Sequence, residues 1–319
     1  MRFLSFAVEG LVRPGLRVGE SQVMDLAEAV PLAVARGKIA PDAPVPDSLL
    51  TLVRLGAAAL DAARVLEREA EALAESCRAL DSVTVVAPIP RPAKNVFCVG
   101  RNYLKHIEEG HRAQQTKQVL PAFPQFFTKP PTAVIGPGAP VHHDPKVTEK
   151  LDYEVELAVI IGRRGRDIAQ TEAWDHIFGY SIANDITARD LQRRQDQWFK
   201  GKAIDDGCPM GPEIVTADDL PAVHGPEAPG ITVGTWVNGE HRQDGNTRDL
   251  IFPIPKLIEE LSLGMTLEPG DIIMTGTPSG VGYAMEPPQF LTAGDEVVLR
   301  IEGIGELRTP IVGAAGGER

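Results

Sequence analysis

The stretch "KLDYEVELAVIIG", residues 150–162, joins the pattern of a buried strand to a row of carboxylates. Its second half is almost entirely apolar, as expected of a strand in a protein core. Asp152, Glu154 and Glu156 occupy every second position, so on one strand they would project to the same face. A solvated strand edge can carry such charges and discourage edge-to-edge pairing. The apolar continuation favours the alternative, a site where a hard divalent cation such as Mg²⁺ or Mn²⁺ neutralises the repulsion.

The composition bounds the class of protein and its partners. The chain has 319 residues, of which 43% are hydrophobic and 24% charged, so an ordinary folded core is expected. A net charge of −12 argues against nucleic acid or an anionic membrane as the main partner. Cys77, Cys98 and Cys208 are odd in number and scattered, which fits neither a disulfide framework nor a thiolate metal site. We therefore expect a cytoplasmic globular protein with neither a nucleic-acid nor a membrane partner.

The pattern along the chain predicts two domains. Residues 1–46 read as short strands and turns, and residues 48–80 as a helix with Asp47 as its N-cap. The proline-rich "VAPIPRPAKN" reads as a linker, which puts a boundary near residue 85. Beyond it, apolar segments bounded by Gly, Pro, Asn or Asp predict a mainly β domain. The prediction is an α+β, mainly β chain, with a small α/β domain over 1–85 and a catalytic domain over 86–319.

A third ligand for a cation is offered by "FGYSIANDITARDLQ", residues 178–192. Asp185 follows the end of a predicted strand and precedes a predicted helix. A helix cap is the commonest role for an aspartate in that position. Arg189 and Gln192 follow at i+4 and i+7, which predicts one helical face carrying a carboxylate, a cation and an amide. This combination favours a site over a simple cap.

Other segments carry residues suited to chemistry. In "VGRNYLKHIEEG", His106 and Glu109 are three positions apart and would be neighbours on a helix, where a carboxylate can orient an imidazole that acts as a base. A surface pair without a function is the common alternative. "QWFKGKAIDDGCPMGP" offers Lys200 and Lys202. The glycine-rich "MTGTPSGVG" could hold a carboxylate or an oxyanion with its backbone N–H groups, but by itself it reads as a tight turn.

In combination these motifs resemble the fumarylacetoacetate hydrolase family. The resemblance covers roughly residues 90–312 and rests on "VGRNYLKHIEE", "FTKPPTAV", "LDYEVELAVIIG", "GYSIANDITARDLQ", "WFKGKAIDDGCPMGP" and "TGTPSGVG" in that order. It implies a mixed β-sandwich or β-roll catalytic domain, and the first 85 residues look like the small N-terminal domain of prokaryotic-type members. Among subgroups the motifs resemble bacterial oxaloacetate decarboxylase and acylpyruvase-like proteins. A homodimer is common in the family and is expected here.

The resemblance also implies roles for particular residues of this chain. The metal ligands for Mg²⁺ or Mn²⁺ would be Glu154, Glu156 and Asp185, with Asp152 supporting them. The catalytic residues would be Lys202 and the dyad of His106 and Glu109, on a short lid helix that orders over bound substrate. Arg101, Lys129, Arg189, Gln192 and Thr277 look like substrate contacts.

The activity that the resemblance implies is metal-dependent hydrolysis or decarboxylation at C–C bonds of short 2-oxo acids or diacids. The carboxylate and 2-oxo oxygens would chelate the metal, which would stabilise the enolate left by bond cleavage. Candidate substrates are oxaloacetate and acylpyruvates such as fumarylpyruvate. The alternative enzyme is the 2-hydroxyhepta-2,4-diene-1,7-dioate isomerase / 5-carboxymethyl-2-oxohex-3-ene-1,7-dioate decarboxylase of homoprotocatechuate degradation. Alternatives of another class are a catalytically silent metal-binding structural protein and a cofactor-free binding module.

Overall fold

The computed structural model describes residues 1–117 and 119–314. The last residues of the predicted catalytic domain, 315–319, lie outside this range. The α-helices of the described residues are α1 (Leu26–Ala35), α2 (Leu49–Leu55), α3 (Ala57–Arg68), α4 (Leu104–Gln114), α5 (Arg189–Arg194), α6 (Phe199–Lys202) and α7 (Ile254–Ser262). The strands of the same ranges are β1 (Arg2–Val8), β2 (Leu11–Val18), β3 (Gln22–Asp25), β4 (Cys77–Ala79), β5 (Thr84–Val86), β6 (Val96–Gly100), β7 (Gln125–Lys129), β8 (Val134–Ile135), β9 (Val141–His143), β10 (Leu151–Asp152), β11 (Val155–Ile161), β12 (Gly165–Arg166), β13 (Ile177–Asn184), β14 (Thr187–Ala188), β15 (Cys208–Thr216), β16 (Thr232–Val237), β17 (Glu240–Asn246), β18 (Thr266–Leu267), β19 (Ile272–Met274), β20 (Glu296–Ile301) and β21 (Gly305–Gly313).

A large mixed sheet forms the centre of the molecule. Its strand order is β4-β3-β2-β1-β15-β13-β11-β19-β6-β7, and β5 and β8 join it through β1 and β15. A second sheet has the order β17-β16-β20-β21-β9, and two short ladders pair β10 with β14 and β12 with β18. Strand predominates over helix in the described chain. The predicted α+β, mainly β class is therefore confirmed.

The two faces of β11 bury different cores, which follows from the alternation of side chains along a strand. Val155, Leu157 and Val159 belong to the apolar cluster shared with the second sheet. Ala158 and Ile160 belong to the cluster shared with helices α1 to α3. The strand is buried on both sides, which explains its nearly continuous apolar sequence.

The N-terminal residues build on the same central sheet. Strand β1 pairs antiparallel with β15, with Arg2 opposite Val215. One apolar cluster contains side chains from before residue 85, such as Phe3 and Leu52, together with later ones such as Ile160 and Met274. The predicted boundary near residue 85 stays a prediction, and the structure adds that sheet and core cross it.

The predicted helix over residues 48–80 is wrong in its extent and its cap. Helix α2 ends at Leu55, and α3 starts at Ala57 after Gly56, whose φ of 60° is the left-handed region that glycine adopts at low cost. The N-cap is Ser48, whose hydroxyl accepts a hydrogen bond from the Thr51 amide at 3.1 Å. Asp47 instead accepts from the hydroxyls of Ser48 and Thr51.

Within the described residues, a helix with the length and apolar character needed to cross a membrane is not found.

Candidate active site

Two neighbouring strands bring three carboxylates together. Glu156 lies on β11, Glu154 directly precedes that strand, and Asp185 directly follows β13. The strands are antiparallel with Val155 opposite Asn184, so the start of one meets the end of the other. Each of the three side chains has a carboxylate oxygen within 4.8 Å of the other two, and all three are buried.

Hydrogen bonds between the strand ends fix this arrangement. The Asp185 amide donates to the Glu154 carbonyl at 2.9 Å. The Glu154 amide donates to the side-chain oxygen of Asn184 at 3.0 Å. The predicted grouping of Glu154, Glu156 and Asp185 is therefore present, and its cause is strand pairing rather than proximity in sequence.

Asp152 does not share the strand face of the two glutamates, because the strand is interrupted at residues 153–154. It lies on β10, which pairs with β14 in a separate ladder. Its carboxylate accepts from Arg189 Nε at 2.8 Å and from the amides of Gly282 and Tyr283 at 2.8 and 3.1 Å. The expectation of three carboxylates on one strand was wrong, whereas the expected supporting role of Asp152 agrees with these contacts.

Two buried lysines contact the carboxylate group from different sides. Lys202 Nζ lies 2.8 Å from Glu154 Oε2 and 2.5 Å from Asp185 Oδ2. Lys129 Nζ lies 2.8 Å from Asp185 Oδ1 and donates to the carbonyls of Ile186, Lys202 and Gly207 at 2.7–2.9 Å. Lys202 thus faces the carboxylates, whereas Lys129 is held by the backbone beneath Asp185.

The charges of the site shift the acid–base behaviour of its carboxyl groups. Burial raises the pKa of Glu156 well above its usual range, and the negative charges of Asp185 and Glu154 raise it further. Burial acts in the same direction on Glu154, but the charges of Lys202 and Arg189 outweigh it and hold that pKa below its usual range. Burial would lower the pKa of Lys202, yet Asp185 and Glu154 raise it.

Arg189 connects the carboxylate group to the cavity wall. It is the first residue of α5, and Asp185 lies outside that helix, so the predicted shared helical face is wrong. Arg189 reaches the site by a different route: Nη2 lies 2.7 Å from Glu154 Oε1, and Nη1 donates to Gln192 Oε1 at 3.3 Å. Asp185 is also not a helix cap, since α5 has Ala188 at its N-cap without a side-chain hydrogen bond.

A cavity of about 580 Å³ opens over this group. Eight residues of the predicted site line it: Arg101, His106, Glu154, Glu156, Arg189, Gln192, Lys202 and Thr277. Lys129 is fully buried and does not belong to this lining, so its contact with Asp185 places it behind the metal-ligand candidates. The proposed roles of these residues in substrate binding stay predictions.

The His106–Glu109 pair lies on α4, and His106 lines the same cavity. His106 Nδ1 is 2.8 Å from Glu109 Oε1, as expected of residues three apart on a helix. Glu109 Oε2 accepts from the Gly280 amide at 2.8 Å, so the carboxylate is tied to a second element. Within the described ranges, His106 Nε2 has no hydrogen-bond partner, which leaves this nitrogen available to a molecule in the cavity.

The glycine-rich segment 274–282 donates backbone hydrogen bonds to carboxylates of the protein itself. The Gly276 amide donates to Glu156 Oε2 at 2.7 Å, and the Gly280 amide donates to Glu109. Gly280 has a φ of 107°, and a Cβ there would collide with the Arg242 carbonyl. The loop is thus more than a tight turn, because its amides hold two carboxylates, one of a metal-ligand candidate and one of the dyad.

Two buried amides that the sequence did not point to position this loop and α4. Gln243 Nε2 donates to Thr277 Oγ1 and to the Pro278 carbonyl at 2.7 and 2.9 Å, and its Oε1 accepts from the Val155 amide at 3.0 Å. Asn102 bridges the Thr275 carbonyl and the backbone of Phe252 just before α4. Gln243 lies in a segment whose local pattern carries no chemical signal, whereas Asn102 lies in "VGRNYLKHIEEG", where the pattern pointed to His106 and Glu109 instead.

The donor chemistry of the site fits a divalent metal. Three carboxylate oxygens converge in a buried space, and oxygen ligands are those that Mg²⁺ and Mn²⁺ prefer. Asp152, Glu154 and Asp185 form ion pairs with Lys129, Arg189 and Lys202. In the described residues Glu156 has no basic side chain within ion-pair distance, and its carboxylate accepts from the Gly276 amide. Burial, together with the negative charges of Asp185 and Glu154, raises the pKa of Glu156, and a bound cation would oppose that rise.

Comparisons with known proteins agree with this architecture. A model of the family described as "Fumarylacetoacetate (FAA) hydrolase C-terminal" matches residues 95–312. Oxaloacetate tautomerase YisK of Bacillus subtilis (strain 168) is 43% identical over 316 residues, which cover 98% of this chain and 100% of that protein. The chain belongs to the fumarylacetoacetate hydrolase family.

Solved structures of family members share the fold over nearly the whole chain. Fumarylacetoacetate hydrolase from Exiguobacterium antarcticum superposes with a TM-score of 0.77 at 38% identity and covers 99% of this chain and 100% of that one. Maleylpyruvate hydrolase from Sphingobium sp. SYK-6, solved in complex with manganese(II) ion and pyruvate, gives a TM-score of 0.72 at 30% identity with coverage of 99% and 100%.

Proposed function

We propose that this protein is a divalent-metal-dependent enzyme acting on short 2-oxo acids, with oxaloacetate as the first candidate substrate. The observation that carries the proposal is one cavity lined both by Glu154 and Glu156 of the buried carboxylate triad and by His106 of the His106–Glu109 dyad. The comparisons support it, since one relative is named for oxaloacetate and one neighbour was solved with manganese and pyruvate.

The residues of the site divide into a binding part and a proton-transfer part. Glu154, Glu156 and Asp185 would hold a divalent cation, which supplies Lewis-acid polarisation of a bound 2-oxo acid. Lys202 places a positive charge beside Glu154 and Asp185. These two carboxylates and that of Glu156 form the acidic floor beneath the cavity. His106, oriented by Glu109 through Nδ1, offers Nε2 for the exchange of a proton with the substrate.

Two kinds of reaction fit this arrangement, one that keeps every C–C bond and one that breaks a C–C bond. Tautomerisation moves one proton from the enol oxygen to carbon 3 of oxaloacetate and breaks no C–C bond, and the name of the B. subtilis relative favours it. Hydrolysis or decarboxylation breaks a C–C bond, as the sequence motifs suggested. Hydrolysis draws on His106 to accept a proton from water, and the name of the Sphingobium neighbour favours this second candidate.

A substrate panel tests the proposal and separates the reactions. The chelated protein is reloaded with Mn²⁺ or Mg²⁺ and given oxaloacetate, acetylpyruvate and fumarylpyruvate, with metal alone as the control for uncatalysed decay. Enol absorbance reports tautomerisation, released pyruvate from oxaloacetate reports decarboxylation, and loss of the acylpyruvate absorbance reports hydrolysis. The homoprotocatechuate intermediates test the isomerase alternative. A metal-loaded protein that accelerates none of these reactions would be the silent metal-binding protein and would contradict the proposal.

We also propose that the enzyme works in a reducing compartment such as the cytoplasm. Cys77, Cys98 and Cys208 all fall in the described residues and are free thiols, with Cys98 and Cys208 buried. Their lack of pairing supports this assignment, because stable disulfides accumulate in oxidising compartments.

A further inference from the structure

Tyr283 holds two arginines of α5 against its ring. The Arg189 guanidinium carbon lies 4.5 Å from the ring centroid and that of Arg193 lies 4.7 Å away. Arginine over an aromatic face is held by electrostatic attraction and by stacking of the planar group. The backbone of Tyr283 is anchored to the site, since its amide donates to Asp152 Oδ2 at 3.1 Å.

The two arginines differ in how their charge is compensated. Arg189 is buried and makes ion pairs with Asp152 and Glu154 at 2.8 and 2.7 Å. Arg193 lines the same cavity, yet in residues 1–117 and 119–314 it has no carboxylate within ion-pair distance. One cation therefore belongs to the floor, and the second presents an uncompensated charge on the cavity wall.

The spacing of the two arginines sets where that charge lies. They are four residues apart on α5, which places neighbouring side chains about 5–6 Å apart between Cβ atoms. A ligand whose 2-oxo carboxylate end lies at the acidic floor, near Arg189, would reach Arg193 with a group a few bonds further along. The planar guanidinium is suited to a second carboxylate, which it can bind with two parallel hydrogen bonds.

We propose that Arg193, held on the Tyr283 ring, binds the distal carboxylate of the substrate and makes the site selective for 2-oxo diacids over 2-oxo monoacids. The inference rests on the proposed function, because it takes the metal end of the cavity as the place of the 2-oxo group. It assigns to Arg193 a specificity role that the sequence motifs did not indicate. Tyr283 acts as the positioning residue, through Arg193.

Binding to the Mn²⁺-loaded protein tests the inference without relying on turnover. Oxaloacetate and 2-oxobutanoate differ only in that a methyl group replaces the distal carboxylate, and calorimetric titration gives the ratio of their dissociation constants. Wild type is expected to bind oxaloacetate more tightly, and Arg193→Gln to reduce this preference by about 10–100-fold, the range for a hydrogen bond to a charged group. The affinity for 2-oxobutanoate should change little.

Three further variants make the result specific. Arg193 and Arg194 are both exposed, but Arg194 is not among the residues that line the cavity, so Arg194→Gln removes the same charge from α5 and should leave the preference unchanged. Tyr283→Phe keeps the ring and should also leave it unchanged, whereas Tyr283→Leu removes the ring and should lower it. An equal preference in wild type and Arg193→Gln would overturn the inference while leaving the proposed function intact. Failure of both ligands to bind wild type would instead count against the proposed function and the inference with it.

Discussion

The floor of the cavity and the α4 side are built in different ways. On the floor, Glu154, Glu156 and Asp185 are buried and each has at least one buried partner at 2.5–2.8 Å. On α4, His106 is partly exposed, and the segment after this helix carries Val119 and Phe123 at 64% and 67% exposure. The floor is fixed by a charge network, whereas α4 is attached through a few contacts such as Glu109 to Gly280.

Under the proposed function, we assign ligand binding to the floor and the choice of reaction to the α4 side. A buried network of charges tolerates little change, because removing one partner leaves another charge uncompensated. The α4 side can vary at lower structural cost. We infer that the floor determines the 2-oxo acid chemistry shared with the family, and that α4 and its dyad determine which reaction follows.

The largest expected effect is at the floor. Glu154→Gln removes a metal-ligand candidate while keeping the shape of the side chain, and we expect it to abolish turnover of every substrate at saturating Mn²⁺. Far-UV circular dichroism should show that the fold is kept. Glu149→Gln, an exposed glutamate nearby, is the matched control. Turnover by Glu154→Gln close to that of the control would show that the floor is not the metal centre.

A smaller and selective effect is expected on the α4 side. General-base assistance is typically worth about 10²–10⁴-fold, so His106→Ala should slow tautomerisation or acylpyruvate hydrolysis by roughly that factor. Decarboxylation of oxaloacetate needs no base and should lose less. The measurement is kcat for two reactions in the same variant, whose ratio cancels part of any defect in closure of α4. Equal losses would leave His106 as a lid residue rather than a base.

Glu109→Gln sharpens the same comparison. It removes the charge that orients His106 and should reproduce much of the His106→Ala loss in kcat. The adjacent, exposed Glu108 supplies the control through Glu108→Gln. If both substitutions lowered kcat alike, the effect would belong to the charge of α4 and not to the dyad.

The sequence predicted the floor better than the surroundings. Glu154, Glu156 and Asp185 could be identified because they match the motifs of the family, whereas the local pattern alone also allowed a solvated strand edge and a helix cap. The interruption at residues 153–154 could not, since nothing in the alternating pattern separates one strand from two. Gln243 and Asn102 were missed for a related reason: their partners are distant in sequence, such as Gln243 and Val155 at 88 residues' separation.

Asp152→Asn tests the support behind the floor, with an intermediate effect on metal binding. Asp152 holds Arg189, which in turn contacts Glu154. Loss of an outer partner of a metal ligand typically costs about 10–100-fold in affinity, and we expect a weakening of Mn²⁺ binding in that range. Asp196→Asn, at an exposed position, should leave the affinity unchanged. Wild-type affinity in the Asp152→Asn variant would show that Asp152 does not support metal binding, which would then depend on the three ligand candidates without it.

The assembly state involves the surface of the molecule, and we expect it to change the carboxylate floor least of all. We expect a homodimer, as the family resemblance implied, because many strands in two sheets leave edges that association can cover. Light scattering coupled to size-exclusion chromatography gives the mass. A monomer mass that does not change with concentration would contradict this expectation.

The central claim is that the buried carboxylate triad binds one divalent cation. Calorimetric titration of the chelated protein with Mn²⁺ tests it directly, with Asp185→Asn as the comparison. The account predicts one ion per chain in the wild type and loss of that binding in the variant, with the fold retained. Absence of Mn²⁺ and Mg²⁺ binding by the wild type, or unchanged binding by Asp185→Asn, would contradict it.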